Sequence, residues 1–239
     1  MSNLIVALQH AGGALWARML PQYCFVCGEN SAARVLCPDC ESALPRLAAA
    51  RCPVCAIDSP EGAVCGRCLA SRPRYDAAHA AFPYAFPIRE MVHAFKFDAR
   101  FAVGRYLGQA LPAALADGVF DCVVPAPLHP QRLAQRGFNQ ALLLAEPLAR
   151  ALRVPLLRDA IRKTRLVPTQ AGLPLEARRR NLRGALQAQQ RFDGLRVLVV
   201  DDVMTSGTTL DEIAATLKAA GAARVEALVV ARTPSRHSG

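Results

Sequence analysis

The sequence predicts an α/β fold, a mostly parallel sheet flanked by helices, preceded by a small cysteine-rich module. Three observations predict it. Eight of the nine cysteines form four Cys-x-x-Cys pairs near the start of the chain. Beyond about Pro73, short apolar runs alternate with helix-like segments. One such run, Val197 to Val200, passes into an acidic, hydroxyl-rich segment containing Gly207 just before the next helical pattern. Strands separated by helices imply a parallel sheet covered on both faces. In such sheets ligands bind beyond the carboxyl ends of the strands.

With 239 residues, 52% of them hydrophobic, the chain can bury one full-sized core and has length left for a smaller unit. Residues 3–20 are apolar, but they lack a basic start, contain Gly12 and Gly13, and stop at Pro21. They read as an amphipathic helix over residues 1–20 rather than a signal peptide or membrane span. No other run approaches spanning length, so a soluble, cytoplasmic protein is expected.

The cysteines repeat as a unit over residues 21–72. Cys24, Cys27, Cys37 and Cys40 form one 17-residue block, and Cys52, Cys55, Cys65 and Cys68 form the same block shifted by 28 positions. A Cys-x-x-Cys turn brings two thiolates to one side of a metal, and a second turn completes the tetrahedron that zinc prefers. Four disulfides would not persist in a reducing compartment, and a thioredoxin-like redox pair accounts for one Cys-x-x-Cys rather than four. The spacing predicts two structural Zn²⁺ sites in a double zinc ribbon. It leaves a cross-braced pairing open, while repetition of the whole block favours sequential pairing. Closed Cys₄ sites offer no open coordination position, so the chemistry must lie elsewhere.

Residues 73–239 should form the α/β domain. Strands are expected at 75–84, 121–124, 195–200 and 224–230, and helices at 88–95, 101–115, 139–152 and 208–220. The ninth cysteine, Cys122, falls in an apolar run and reads as a buried strand residue. After Val200 come Asp201, Asp202, Val203, Met204, Thr205, Ser206, Gly207, Thr208 and Thr209. Gly207 and the small hydroxyl residues let backbone N–H groups and a helix N-terminus face an anion. No Lys follows Gly207, which argues against a nucleoside-triphosphate P-loop. Two carboxylates would repel a phosphate bound directly against them, so they should face a neutral or cationic group beside it. A sugar diol or a metal-bound sugar fits, and together the parts describe a ribose 5-phosphate.

The formal charge of +10 is unevenly placed. Residues 129–196 hold 14 Lys or Arg and 4 Asp or Glu, whereas the rest of the chain holds 15 of each. Such a segment favours phosphate-bearing partners.

Residues 197–209 resemble the diphosphoribosyl-binding signature of the type I phosphoribosyltransferases over all 13 positions. Val124-Pro-Ala-Pro-Leu-His129, Arg132, Arg136-Gly-Phe-Asn-Gln140, Thr169-Gln170, and Arg178 through Asn181 to Gly184-Ala185 are similar to the ComF (ComFC, GntX-like) competence family. So are the four Cys-x-x-Cys pairs and the segment around His93 and Lys96. The resemblance covers about residues 21–233, with the Arg-Gly-Phe-Asn-Gln run its most specific part. It implies a type I phosphoribosyltransferase-like fold, a loop of Pro125, Ala126 and Pro127 in the pyrophosphate-binding position, and a mobile hood near residues 132–140. Thr205 stands where purine-salvage members carry an Asp, so purine salvage is not implied. Ala177 and Leu186 also depart from the ComF pattern, which more often shows Glu and Phe there.

The resemblance implies binding of phosphoribosyl diphosphate with Mg²⁺. Residues 201–209 would take the ribose and 5-phosphate, with Arg132 and Arg136 on the pyrophosphate side. If the site turns over, a nitrogen nucleophile displaces pyrophosphate at the anomeric carbon. No general base stands out, so no catalytic residue is named. The resemblance also implies a role in DNA uptake and single-stranded DNA handling during natural transformation, and the basic segment supplies Arg178, Arg179, Arg180 and Arg183 as DNA-binding candidates. Two alternatives are a phosphoribosyltransferase of nucleotide or base metabolism without a DNA role, and a zinc-stabilised adaptor docking on a competence helicase. Aromatic residues make up only 6% of the chain, so few stacking platforms for DNA bases are expected.

Overall fold

The computed structural model describes residues 22–32, 34–115, 118–165 and 184–234. The helix expected over residues 1–20 lies outside them, as do Thr169, Gln170, Ala177, Arg178, Arg179, Arg180, Asn181 and Arg183. The chain divides into two compact units, Met1–Pro45 and Arg46–Gly239.

The first unit contains the first cysteine block. An isolated bridge joins Tyr23 to Asn30, Cys24 N–H donates to Glu29 O at 2.7 Å, and a short helix α1, Pro38–Ser42, follows Cys37. The second block, in the second unit, repeats each feature 28 residues later. Arg51 bridges Asp58, Cys52 N–H donates to Ile57 O at 2.8 Å, and α2, Gly66–Ala70, follows Cys65. The turn needs a left-handed residue, which is Gly28 in the first block (φ 75°) and Ala56 in the second (φ 57°). The blocks differ in burial. Cys27 is exposed in the first, whereas Cys52, Cys55 and Cys68 are at most 4% exposed and share a hydrophobic core with Tyr75, Val197 and Met204. The α/β sheet therefore supplies the second block with a core that its own length could not.

The sheet has four strands: β1 Ala77–Pro83, β2 Cys122–Pro125, β5 Arg196–Met204 and β6 Arg224–Arg232. Their order is β1-β6-β5-β2, and every pairing is parallel. Val197 to Val200 are buried on both faces, which explains their unbroken apolar run. Helices α3 Ile88–Phe97 and α4 Phe101–Gln109 lie between β1 and β2 in the chain. α3 buries Ile88, Met91, Val92 and Phe95, spaced for one helical face. Gly104 lets α4 approach α3 closely, because a Cβ there would overlap the Phe95 ring. Two further helices, α5 Pro130–Arg136 and α6 Gln140–Leu152, precede β5, and α7 Thr208–Ala219 joins β5 to β6.

Three features differ from the sequence-based expectation. α5 was not expected as a helix: Pro130 at its first position is an ordinary start signal, but its N-cap is His129, an uncommon one, which accepts from Gln131 N–H through Nδ1 at 3.2 Å. A second, antiparallel sheet pairs β3 Ile161–Lys163 with β4 Leu186–Ala188, and strands of three residues carry no readable period. β5 continues past Val200 to Met204, because its ladder with β6 runs on to the Met204 and Arg232 pair.

Candidate functional site

β2 pairs with β5 only as far as Pro125 opposite Val200. β5 goes on for four residues, carrying Asp201 and Asp202 beyond the carboxyl end of β2, the position at which open parallel sheets place their ligand crevice. Asp202 is 4% exposed, while Asp201 is half-buried. Asp202 N–H donates to Asp201 Oδ1 at 2.8 Å.

Cations from three elements converge on this pair. Lys96 of α3 places Nζ 2.7 Å from Asp202 Oδ2, an ion pair that does not reach hydrogen-bond geometry. Arg136 ends α5 and Lys163 ends β3. Burial lowers the pKa of both, opposed at Arg136 by Asp202 and Asp201 and at Lys163 by Asp201. Arg132 adds like charge beside each. Burial and the neighbouring Asp202 push the Asp201 carboxyl up to about 7, against the pull of Lys96. Lys96 and Arg136 stand in segments singled out from the sequence. Lys163 does not; it sits in the run Arg162-Lys163-Thr164-Arg165, where nothing distinguishes it from solvated neighbours.

The Arg136-Gly-Phe-Asn-Gln140 run acquires a physical reading. Gly137 closes α5 with φ 83°. Phe138 packs on Phe95 and Phe101, with ring centroids 5.7 and 5.0 Å apart. Asn139 caps α6 by accepting from Ala141 N–H, and its Nδ2 donates to Ala126 O at 3.1 Å, holding the Pro125, Ala126 and Pro127 loop. Gln140, only 7% exposed, accepts from Arg136 Nη1 at 2.6 Å through Oε1. The guanidinium of Arg136 also lies 5.4 Å from the Phe97 ring centroid. The motif thus holds a loop and a cation beside the acid pair.

Beyond the acids, Val203 and Met204 are strand residues, and the Met204 side chain is buried in the core. Thr205 is exposed, Ser206 Oγ lies 2.8 Å from Thr208 Oγ1, and Gly207, with φ 80°, is the N-cap of α7. A Cβ at Gly207 would meet Met204 Cε at 2.7 Å and the Tyr75 hydroxyl at 3.0 Å, so the packing adds to the positive φ in favouring glycine. Gly207 offers no side-chain cap; Thr208 N–H donates to Ser206 Oγ at 3.4 Å, and the remaining first-turn amides and the dipole of α7 are left to face an anion. A cleft runs behind the loop between Ser206, Gly207 and Thr208 on one side and Arg67, Cys68 and Tyr75 on the other. It reaches the loop but not the acid pair. Carboxylates accept from hydroxyls or bind a dication, and amides with a helix N-terminus hold an anion, so the crevice can take a polyhydroxylated, phosphorylated ligand.

The cysteines form two sequential groups, Cys24, Cys27, Cys37 and Cys40, and Cys52, Cys55, Cys65 and Cys68. Their ligand atoms lie within 4.8 Å of one another in each group, with Cys27 and Cys37 Sγ 3.8 Å apart and Cys55 and Cys65 Sγ 3.6 Å apart. Tetrahedral zinc with Zn–S near 2.3 Å separates its sulfurs by about 3.8 Å. The groups therefore fit zinc. Burial opposes ionisation of Cys24 and Cys52, yet backbone N–H groups outweigh it and bring them down to about 6 and about 7. Cys40 is pushed up to about 12, first by its hydrogen bond with Cys37 and then by burial. A dication resolves this crowding by taking all four as thiolates.

The chain is similar to known proteins in both parts. Residues 139–238 match the phosphoribosyl transferase domain family, and residues 15–69 match the double zinc ribbon domain family. Competence protein F of Haemophilus influenzae is 33% identical over 159 residues, covering 62% of this chain and 69% of that protein. DNA utilization protein YhgH of Escherichia coli K12 is 36% identical over 157 residues, covering 63% of this chain and 69% of that protein. Among solved structures, the glutamine phosphoribosylpyrophosphate amidotransferase of B. subtilis is 27% identical, with a TM-score of 0.35, over 55% of this chain and 26% of that one.

Proposed function

The chain belongs to the ComF family, that of competence protein F, and from this membership we propose that it binds phosphoribosyl diphosphate in the β5 crevice and acts in the handling of single-stranded DNA during uptake. One observation carries the ligand: an acid pair and a glycine–hydroxyl loop leading into a helix lie within one run, 201–209, at the carboxyl end of a buried strand. Asp201 and Asp202 accept from the ribose hydroxyls. Thr205, Ser206, Gly207, Thr208 and Thr209 take the 5-phosphate. The loop of Pro125, Ala126 and Pro127, with Arg132, Arg136 and Lys163, faces the pyrophosphate. Mg²⁺, when bound, neutralises the pyrophosphate.

The role in DNA uptake is supported by the competence and DNA-utilization names of the relatives. The excess of 14 Lys or Arg over 4 Asp or Glu in residues 129–196 supports contact with a phosphate backbone. Arg178, Arg179, Arg180 and Arg183 remain the candidates for it. Among the described residues no helix is long and apolar enough to cross a membrane.

The match of residues 139–238 to the phosphoribosyl transferase domain family favours turnover as a second reading, and burial together with Asp202 raises the Asp201 carboxyl to about 7, in the range suited to proton transfer at neutral pH. Titration calorimetry with phosphoribosyl diphosphate and Mg²⁺ tests the first reading; saturable binding that is lost on D201N/D202N supports it, and no binding by the parent removes it. Pyrophosphate release with a panel of nitrogen bases tests the second.

A further inference from the structure

Arg232 is the last residue of β6 and is 3% exposed. Its guanidinium bridges two parts of the unit Arg46–Gly239. Nε donates to Cys55 O at 2.9 Å, in the first Cys-x-x-Cys turn of the second block. Nη1 donates to Met204 O at 2.8 Å and Thr205 O at 2.6 Å, where β5 becomes the phosphate loop. The next carbonyl along, Ser206 O, accepts from Arg67 Nη1 of the same block at 3.4 Å. Three consecutive loop carbonyls are thus held by guanidinium groups tied to the second cysteine block.

Peptide planarity turns this anchoring into an orientation. In a trans peptide the C=O and the following N–H point in opposite directions. Carbonyls 204, 205 and 206 directed toward Arg232 and Arg67 require the amides of Thr205, Ser206 and Gly207 to face away from the cysteine block. Met204 O also accepts from Thr233 N at 3.1 Å on the β6 side, so the Thr205 amide is directed toward the β2 side, where the Pro125 to Pro127 loop lies. A run of amides facing one way is an anion cradle, and its affinity depends on how rigidly they are held.

We propose that Arg232 is a positioning residue for the phosphate loop and that the metal-bound second cysteine block is the anchor through which it acts. The block at Cys52, Cys55, Cys65 and Cys68 then serves the ligand site directly, since its metal fixes the Cys55 carbonyl on which Arg232 is braced. The affinity consequence rests on the reading of residues 205–209 as a phosphate site; the orientation of the loop does not.

The test uses the full chain as parent, R232K, R232M and C68S, reading ¹⁵N order parameters at residues 205–207 and, separately, the Kd for phosphoribosyl diphosphate with Mg²⁺. R232M should bring these amides from the rigid range, about 0.85, to below about 0.6 and weaken binding about 10- to 100-fold, with circular dichroism and zinc content unchanged. R232K should fall between parent and R232M, because an ammonium cannot span Cys55 O and both loop carbonyls with the same fork. C68S should lower the order parameters of the same three amides, and folded C68S with parental values removes the cysteine block as the anchor. Folded R232M with parental order parameters overturns the proposal, as does R232K behaving no better than R232M. If C68S does not fold, the R232M and R232K series decides alone. A parent that fails to bind phosphoribosyl diphosphate removes the ligand reading while the order parameters still judge the brace.

Discussion

Lys96 and Asp202 meet inside the α/β unit with Nζ 2.7 Å from Oδ2, one from the last turn of α3 and the other from the part of β5 that runs beyond β2. Asp202 is 4% exposed, and its Oδ2 makes no hydrogen bond, so the ammonium is the principal compensation for burying that oxygen. Replacing Lys96 by Met should destabilise the protein by about 1–3 kcal/mol, below the usual cost of breaking a fully buried pair because the lysine side chain keeps 22% of its exposure. Adding D202N to K96M should recover part of the loss. A urea-denaturation double-mutant cycle with no coupling would show that the carboxylate is compensated by another group.

Asp201 gives the fold a pH dependence of unusual sign. Its carboxyl is raised from 3.8 to about 7 by burial and by Asp202. Between those values the folded protein holds a proton that the unfolded chain has released, so this group's contribution to stability falls as pH rises through the window and is fully lost above it. D201N removes the titration. Urea midpoints at pH 5 and pH 8 should therefore show the parent losing on the order of 1–3 kcal/mol relative to D201N. A difference that is flat with pH would place the carboxyl in its ordinary range. Phosphoribosyl diphosphate binding should strengthen as pH rises through about 7, because the ionised carboxylate is the better acceptor for ribose hydroxyls.

What could be read from the sequence was local in the chain. The cysteine blocks were legible because a two-residue spacing and its repeat 28 positions later survive as structure, down to matching bridges at Tyr23 and Arg51. The run 201–209 was legible because strand, acids, loop and helix start are contiguous. The partners of that run were not. Lys163 acts on Asp201 from the two-stranded sheet of three-residue strands, and Arg232 reaches Cys55 across 177 positions. The burial of the second cysteine block in the sheet's core was equally hidden, since its spacing matches that of the more exposed first block.

That difference in burial should appear in metal release. Elemental analysis of protein purified without added metal should return two zinc ions per chain, one for each Cys₄ group. Chelator challenge with an absorbing zinc indicator should then be biphasic, with the faster phase from the group holding the exposed Cys27 and the slower from the group in which Cys52, Cys55, Cys65 and Cys68 are at most 9% exposed. C24S should remove the fast phase and leave one zinc. A single phase for two ions, or one ion in the parent, would contradict two independent sequential sites.

Single-stranded DNA binding should be dominated by counterion release, because residues 129–196 carry 14 Lys or Arg against 4 Asp or Glu. With roughly five phosphates contacted, log K against log salt should slope at about −3.5, using about −0.7 per contact for single strands. Charge reversal at Arg178, Arg179 and Arg180 should flatten the slope by roughly two units if all three touch phosphate. D201N/D202N separates two geometries, because these acids belong to the crevice and not to the arginine run. A slope unchanged in that variant, together with DNA affinity unchanged by saturating phosphoribosyl diphosphate, places the DNA track outside the crevice. Displacement of DNA by phosphoribosyl diphosphate would instead mean that both use the cations around Asp201, with Arg132, Arg136 and Lys163 serving either ligand in turn. Binding that ignores salt would remove the arginine run as the DNA contact altogether.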